Sequence, residues 1–398
     1  MVARPTERQI VFCVGAVQFV NILDFMIVMP LGPDFATALG IPLSQLGWIG
    51  GAYTAAACVS GIAGAFFLDR FDRKSALAVS LLGLFLGTLS GAFARGLASL
   101  MAARIVAGAF GGPATSLSYS IIADRIPPER RGKAMGAVMG AFAVASVLGV
   151  PAGLELARAF GWRAPFVAVA LCGAVLGTYA QAVLPPMFAH VAYARSHRPG
   201  ADLGELMRGT VLLSLTMSFL AMASGFVLIP NISAYVQENL GYPRDKLGLL
   251  YLAGGFVSFF SMRAVGRLVD RFGSARVGVI GTIVGAIVTY LGFVRFPPAI
   301  PVMTFFVGYM IGSAFRSVSV NTLTTQVPRA EERASFGSMQ SAVQHLASSA
   351  GAFSSSLLLA ELPDHKLVGM PTVAWVSIAL GLGLPVMLAF VEKRVRAG

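Results

Sequence analysis

The stretch Leu68-Asp69-Arg70-Phe71 recurs in the second half of the sequence as Val269-Asp270-Arg271-Phe272. Pro127 and Pro328 are related by the same spacing. A spacing that holds in separate parts of the chain indicates an internal duplication rather than a chance similarity between apolar segments. The sequence therefore predicts a fold made of two equivalent halves.

Apolar runs fill the sequence around these repeats. Of the 398 residues, 56% are hydrophobic and 12% are charged, and the mean hydropathy is +0.75, whereas about a quarter of the residues in a soluble chain are charged. Runs of about 20 apolar residues can cross a bilayer as helices. We therefore predict an all-α membrane protein with twelve transmembrane helices in two pseudo-symmetric six-helix bundles, the helices lying near residues 10–32, 44–67, 75–94, 97–122, 134–157, 164–186, 209–231, 245–268, 275–294, 299–323, 334–359 and 370–391.

The formal charge of +12 follows from the topology of such a protein. An even number of spans leaves both termini on one side, and most Lys and Arg residues fall in segments on that side. The positive-inside rule therefore predicts that both termini are cytoplasmic. We expect a multi-pass protein of the inner (plasma) membrane that contacts the lipid bilayer and binds no nucleic acid.

The longest polar stretch lies between the sixth and seventh predicted helices, from Met187 to Arg208. It divides the chain into an N-terminal bundle, residues 1–186, a cytoplasmic linker, residues 187–208, and a C-terminal bundle, residues 209–398. Internal repeats that form two bundles are typical of secondary transporters, in which the halves move about a central site.

The repeated stretch belongs to a longer motif. Residues 65–77 read AFFLDRFDRKSAL, and the second copy, residues 266–273, reads GRLVDRFG. Both resemble the signature between the second and third helices of the major facilitator superfamily, although Ala65 and Asp72 replace its glycines. The resemblance implies a cytoplasmic gate in which a carboxylate faces a helix N-terminus across the halves, or else charges that only anchor loops at the membrane surface. The candidate gate residues are Asp69, Arg70, Arg73, Arg131, Asp270, Arg271 and Arg333.

A buried charge pair is predicted between the first and fourth helices. Residues 100–112, LMAARIVAGAFGG, resemble the second signature of the same family, with Arg104 as its arginine. A charge inside the membrane costs about 2.5–3.5 kcal/mol even on the lenient scale, so Arg104 needs a partner. Asp24 is the only acid deep within a predicted helix, and both residues lie about 10 Å below the same surface. The pair is either the proton-coupling site or a static ion pair, and Asn21, one turn from Asp24, either shares the site or packs helices together.

Arg316 lies within the tenth helix, and the predicted helices of the second half contain no acid to neutralise it. Tyr309 and Ser313 are on the same helix face. Arg316 either binds substrate or donates hydrogen bonds to Gln340, Gln344 or His345 of the eleventh helix. The family resemblance implies a cavity surrounded by the first, fourth, seventh and tenth helices. The candidate substrate-binding residues are Arg316, Asn21, Tyr309, Ser313, Ser224 and Gln344.

The direction of transport is suggested by the fifth helix, where residues 149–153 read GVPAG. This stretch is similar to the antiporter signature of drug- and sugar-efflux permeases in the family. The resemblance implies a proton-coupled antiporter that exports a small organic compound by alternating access; the alternative is a proton-coupled importer or a lipid or anion transporter. The chain has neither a metalloprotease motif nor a phosphate-binding loop. We expect no enzyme activity, no cofactor and no metal site, and a protein that works as a monomer.

Overall fold

The computed structural model describes residues 5–188, 208–328 and 333–397. In this part of the chain twelve long helices follow one another, labelled α1 to α12. Their bounds are Glu7–Ile27 (α1), Leu46–Phe67 (α2), Arg73–Ala92 (α3), Leu97–Arg125 (α4), Pro128–Met139 continued by Ala141–Val144, Ala145–Gly149 and Val150–Phe160 (α5), Arg163–Val183 (α6), Gly209–Phe226 (α7), Leu247–Phe272 (α8), Ser274–Thr289 continued by Tyr290–Val294 (α9), Val302–Thr324 (α10), Arg333–Leu358 (α11), and Met370–Leu382 continued by Leu384–Ala397 (α12). The predicted all-helical architecture is confirmed.

Short elements connect the long helices. They are the helices Gly32–Leu39 and Ile232–Ala234, the 3₁₀ turns Leu43–Gln45, Leu68–Arg70, Ile229–Asn231 and Arg244–Lys246, the π turn Tyr235–Asn239, and the two-residue strands β1 (Ala360–Glu361) and β2 (Leu367–Val368). The two strands pair antiparallel as a small hairpin between α11 and α12.

Ten helical stretches among the described residues are long and apolar enough to cross a membrane. The remaining two long helices are α10 and α11, which carry many polar residues. Because a helix that packs against protein on several sides needs less apolar surface than one exposed to lipid, polar side chains on α10 and α11 are compatible with their place in the bundle.

The first helix ends earlier than predicted. The apolar run reaches residue 32, but α1 stops at Ile27, and the chain turns before the helix Gly32–Leu39 begins. Pro30 explains the break, since proline has no N–H to continue the helix and disfavours the helical conformation of the preceding residue. Asp24 therefore lies one turn from the end of α1, not two.

The fifth helix contains a wide turn at Ala145–Gly149, where the hydrogen bonds follow π-helical spacing. Pro151 begins the next segment. A proline inside a helix removes a hydrogen bond and pushes on the preceding turn, and one π turn accommodates both effects. The helix continues to Phe160 beyond this turn.

The two halves repeat the same helix packing. In the first half α3 packs on α4 and α6, α2 packs on α4, and α1 packs on α6. In the second half the corresponding pairs are α9 with α10 and α12, α8 with α10, and α7 with α12. Two six-helix bundles of one design therefore form the molecule. The predicted linker, residues 187–208, lies outside the described residues except for Met187, Phe188 and Arg208.

Two seams join the halves: α2 packs on α11, and α5 packs on α8. Both depend on glycine. A Cβ atom on Gly47 of α2 would overlap the carbonyl oxygen of Ala352, and one on Gly255 of α8 would approach the carbonyl oxygen of Ser146 to 2.8 Å. The backbones at both seams are in direct contact.

The halves share buried apolar surface at only one end of the described molecule. This far end carries the α1–α2 connection, and its hydrophobic cluster combines Leu31 and Leu46 of the first half with Leu228 and Leu247 of the second. The opposite end, which carries the start of α1 and the end of α12, is the terminal end. The other buried clusters each draw on a single half. The halves are therefore sealed together at the far end.

Candidate functional site

Asp24 and Arg104 form an ion pair between α1 and α4. Arg104 Nη1 lies 3.0 Å from each carboxylate oxygen of Asp24, and Nη2 donates to the Asp24 carbonyl oxygen at 3.2 Å. Thr88 of α3 donates its hydroxyl hydrogen to Asp24 Oδ1 at 2.7 Å. Both charged side chains are 1% exposed. The sequence predicted this contact from depth alone, and Thr88 is a partner that it did not reveal.

Tyr53 of α2 covers the ion pair. The guanidinium carbon of Arg104 lies 4.5 Å from the centroid of the Tyr53 ring, a distance at which cation–π attraction is effective. The Tyr53 hydroxyl donates to Asn21 Oδ1 at 2.7 Å. The Arg104 Nε atom has no hydrogen-bond partner among the described residues. The pair is thus held by three other helices, with one donor unused.

Asn21 links helices rather than facing an open site. Its amide nitrogen donates to the Gly111 carbonyl oxygen at 3.0 Å and to Thr115 Oγ1 at 2.7 Å. The Thr115 hydroxyl in turn donates to Gln18 Oε1 at 3.3 Å. The Asn21 side chain is occupied on both its oxygen and its nitrogen, which favours the packing role over substrate binding.

Arg316 donates from Nη1 to Ser224 Oγ of α7 at 3.1 Å. Its predicted neutral partners on α11 were Gln340, Gln344 and His345, and the described hydrogen bond goes to α7 instead. Ser224 is fully buried, whereas Arg316 is partly exposed. A hydroxyl group is a neutral partner, so the charge of Arg316 is not cancelled by this contact.

The other predicted substrate residues lie at different depths of the site. Tyr309 is buried in the cluster at the far end, edge-on to Phe293. Ser313 and Gln344 are both partly buried, and the Gln344 carbonyl oxygen accepts the Ser348 hydroxyl. Of the predicted set, Arg316 and Ser224 are brought together, and Tyr309 is not on the same surface.

Aromatic rings connect the two polar sites across the halves. Phe25, next to Asp24, stacks on Tyr53 with centroids 5.4 Å apart and on Phe226 of α7 with centroids 5.7 Å apart. Phe226 follows Ser224 by two residues. The ion pair of the first half and the arginine of the second half are therefore separated by a short column of stacked rings.

The predicted gate residues of the first half contact their own half. Arg73 is buried, and its Nε lies 3.3 Å from Asp124 Oδ2 of α4. Arg131 Nε donates to the Ile126 carbonyl oxygen at 2.8 Å, and Arg70 is exposed. The side chain of Asp69 lies outside the described part of the chain. None of these printed contacts reaches the second half.

The predicted gate residues of the second half lie at the same end. Asp270 and Arg271 are both exposed and line a surface groove between α8, α10 and α12. The side chain of Arg333 lies outside the described residues. The contacts at the terminal end therefore do not form a lock between the halves in this structure.

The halves are instead locked at the far end, by residues that the sequence analysis did not single out. Arg244 forms a bidentate ion pair with Asp34. Ser233 donates to the Pro30 carbonyl oxygen at 2.7 Å, and Glu361 of β1 accepts the backbone N–H of Leu43. The only available signal was that all of them lie in connections predicted on one side of the membrane.

Metal and cofactor chemistry finds no obvious place in the described chain. No group of three or more His, Cys, Asp or Glu residues there could hold a metal ion. The arrangement offers a buried ionisable pair, an arginine with a neutral partner, and two halves joined at one end.

Known proteins share this sequence pattern and fold. The sequence profile of the Major Facilitator Superfamily matches residues 14–352 and 214–398. The chain is 26% identical over 248 residues to a chloramphenicol resistance protein of Streptomyces lividans, covering 62% of this chain and 63% of that protein. It is 25% identical over 253 residues to the purine ribonucleoside efflux pump NepI of Escherichia coli (strain K12), covering 63% and 61%. The matched region is thus under two thirds of the length of either relative.

A solved structure extends the likeness to the whole chain. The crystal structure of a D-xylose–proton symporter superposes with a TM-score of 0.71 and 18% identity, covering 96% of both chains. At this identity the match speaks for the fold alone.

Proposed function

Because this chain belongs to the Major Facilitator Superfamily, and is thus a membrane transporter rather than an enzyme, we propose that it is a proton-coupled antiporter that exports a small organic compound by alternating access. The observation that carries the proposal is the buried Asp24–Arg104 ion pair. A carboxylate beside a fixed positive charge holds no proton, and the same carboxylate gains one when that charge moves away. Separation of α1 from α4 during the transport cycle would therefore load a proton on Asp24.

The column of rings supplies a route by which substrate movement can reach the ion pair. Phe226 contacts Phe25, Phe25 contacts Tyr53, and Tyr53 covers Arg104. Any motion that separates the halves at Phe25 and Phe226 removes one side of this column. Tyr53 is then free to shift from the guanidinium of Arg104, which weakens its hold on Asp24.

Arg316 is the proposed contact for substrate. It is partly exposed, and its hydrogen-bond partner, Ser224, is neutral. An arginine so placed is available for bidentate contact with a carboxylate, a phosphate or a polyol. Ser224 would orient the guanidinium, and Ser313 and Gln344 would contribute polar contacts nearby.

Export is favoured over import by the relatives and by the fifth helix. Both relatives named above are described as a resistance protein or an efflux pump, and residues 149–153 resemble the antiporter signature. The alternative, a proton-coupled importer or a lipid or anion transporter on the same fold, is supported by the uncancelled charge of Arg316. We place the chain as a monomer in the inner membrane with the terminal end cytoplasmic, which makes this structure a state closed to the outside.

Transport in inverted membrane vesicles tests the proposal. Vesicles that contain the protein are energised with an inward proton gradient and incubated with a panel of radiolabelled organic compounds, including nucleosides and phenyl-containing antibiotics. We expect gradient-dependent accumulation of at least one compound, abolished in Asp24→Asn and preserved in the control Asp364→Asn, whose carboxylate is exposed in the β1–β2 turn. Accumulation that is the same in Asp24→Asn as in the wild type would refute the coupling role.

A further inference from the structure

A cavity of about 920 Å³ lies at the terminal end of the second half, where the α8–α9 connection meets α10 and α12. We call it the basic groove. Four cationic and two anionic side chains line it: Arg271, Arg276, Lys393, Arg396, Asp270 and Glu392. The groove lies outside the transport site, so the inference drawn from it does not depend on the direction or coupling of transport.

One of the two acids in the groove is already occupied. Glu392 Oε2 accepts the backbone N–H of Ala275 at 2.8 Å, and Oε1 lies 2.5 Å from Arg396 Nη2. Among the described residues no carboxylate pairs with Arg276 or Lys393, and both are exposed. The groove therefore presents an excess of positive charge that the protein itself does not cancel.

The first half fills the corresponding position with its own chain. The segment after α6 lies against the start of α3, where Met187 N–H donates to Asp72 Oδ1 at 2.5 Å and Arg73 N–H donates to the Met187 carbonyl oxygen at 3.4 Å. Arg125 also donates to the Pro186 carbonyl oxygen at 3.0 Å. In the second half α12 continues as a helix to Ala397, so no such segment folds back over the start of α9. The repeat thus leaves a position that is occupied in one half and vacant of protein in the other.

Exposed apolar side chains lead from the groove along the helices. On each of the neighbouring helices α9 and α12 they recur every three or four residues, so that one stripe ends at Arg276 and the other at Lys393. The stripes consist of Ile280, Ile283 and Ile287 on α9, and of Leu382, Val386 and Phe390 on α12. A basic pocket at the end of two apolar stripes has the shape of an amphiphile with a negative head.

We propose that the basic groove binds the headgroup of an anionic phospholipid, whose acyl chains lie along the two stripes. Basic pockets between membrane helices attract such headgroups, each Lys or Arg strengthening binding about fivefold. The phosphate would approach Arg276 and Lys393, because these two cations have no carboxylate partner. A free phosphate shares the chemistry of the head but gains nothing from the stripes.

Lipid titration of the purified full-length chain tests the proposal. Phosphatidylglycerol or phosphatidylcholine with identical acyl chains is added to the protein in detergent, and bound lipid is counted by native mass spectrometry while thermal unfolding is followed in parallel. We expect phosphatidylglycerol to be retained in preference to phosphatidylcholine and to raise the unfolding temperature further. Arg276→Gln combined with Lys393→Gln should weaken phosphatidylglycerol binding about 30-fold.

Two controls make the test specific. Arg130→Gln combined with Lys133→Gln removes the same charge from exposed positions at the same end of the first half and should leave binding unchanged. Ala389→Phe fills the groove without removing charge, and should weaken binding if the lipid occupies that space. Equal retention of both lipids, unchanged binding in the Arg276–Lys393 variant, or displacement of the lipid by millimolar sn-glycerol 3-phosphate would each overturn the proposal.

Discussion

Asp34 and Arg244 lie in different halves and meet at the far end, with Nε 2.7 Å from Oδ1 and Nη2 2.8 Å from Oδ2. Arg244 also reaches the Leu154 carbonyl oxygen at 3.4 Å. The side chains are 23% and 26% exposed, so water screens the pair only in part. This ion pair holds the halves together on the side opposite the termini.

Removing this ion pair should favour the state open at the far end. We expect Asp34→Asn to shift the ratio of the two states about fivefold, the equivalent of about 1 kcal/mol for a partly exposed ion pair. The shift is measured as the labelling rate of a cysteine introduced at Ile232, which is buried in the shared cluster, in a variant that lacks Cys13, Cys58 and Cys172. Arg244→Gln should give the same shift and the double variant no more than either; independent, additive shifts would show that the pair does not act as a unit.

Breaking the ion pair between Asp24 and Arg104 from one side should destabilise the protein. A buried charge that loses its partner costs about 3–5 kcal/mol, so Arg104→Gln should lower the midpoint of thermal unfolding in detergent markedly. Asp24→Asn combined with Arg104→Gln should recover much of the loss, because no uncompensated charge remains. Thr88→Val, which removes one hydrogen bond to Asp24, serves as the small-effect reference, and a double variant less stable than either single would contradict this account.

Arg316→Lys separates substrate binding from folding. The described hydrogen bond of Arg316 goes to a neutral hydroxyl, so we expect the unfolding temperature without substrate to change little. Stabilisation by the compound identified in the vesicle assay should be lost, because lysine cannot reproduce a bidentate contact. If the variant instead unfolds at a much lower temperature and still binds the compound, Arg316 is a structural residue.

Asp72 should make stability depend on acid. Burial disfavours its charged form, but hydrogen bonds from the Met187 N–H, from Ser75 and from the Lys74 N–H outweigh this and lower the pKa of Asp72 below its usual value. A lowered pKa means that the stabilisation is complete above about pH 4, the value for an unfolded chain, and is lost as the pH falls through the folded pKa. Asp72→Asn should therefore show a flatter fall in unfolding temperature between about pH 5 and pH 3, and curves that run parallel would rule out this contribution.

The sequence predicted the spans and the meeting of Asp24 with Arg104 but not the contacts around them. Number and length of spans follow from hydropathy, and two ionisable groups at equal depth have little alternative but to pair. The identity of Thr88 and Tyr53 as partners depends on how each helix is rotated about its axis. A helix that faces lipid on one side and apolar protein on the other shows no amphipathic pattern, so its rotation leaves no trace in the sequence.

The partner of Arg316 was missed for a related reason. Gln340, Gln344 and His345 are stronger hydrogen-bonding groups than Ser224, and composition alone favoured them. The hydroxyl of Ser224 lies nearer because α7 packs beside α10 with a small residue at the contact. The end of α1 was misplaced because Val28 and Met29 are as apolar as the helix before them, and only Pro30 marks the turn.

The glycine-lined seams set the axis on which the halves can turn. Gly47 and Gly255 bring backbone against backbone on opposite flanks of the molecule, so these two places stay at a constant separation while regions away from them move. A line through both seams acts like the pin of a hinge, and displacement grows with distance from it. The terminal end, where the halves have separate cores, lies at the end of the longer lever arm, so a small rotation about the pin is enough to change which face of the membrane the central site faces.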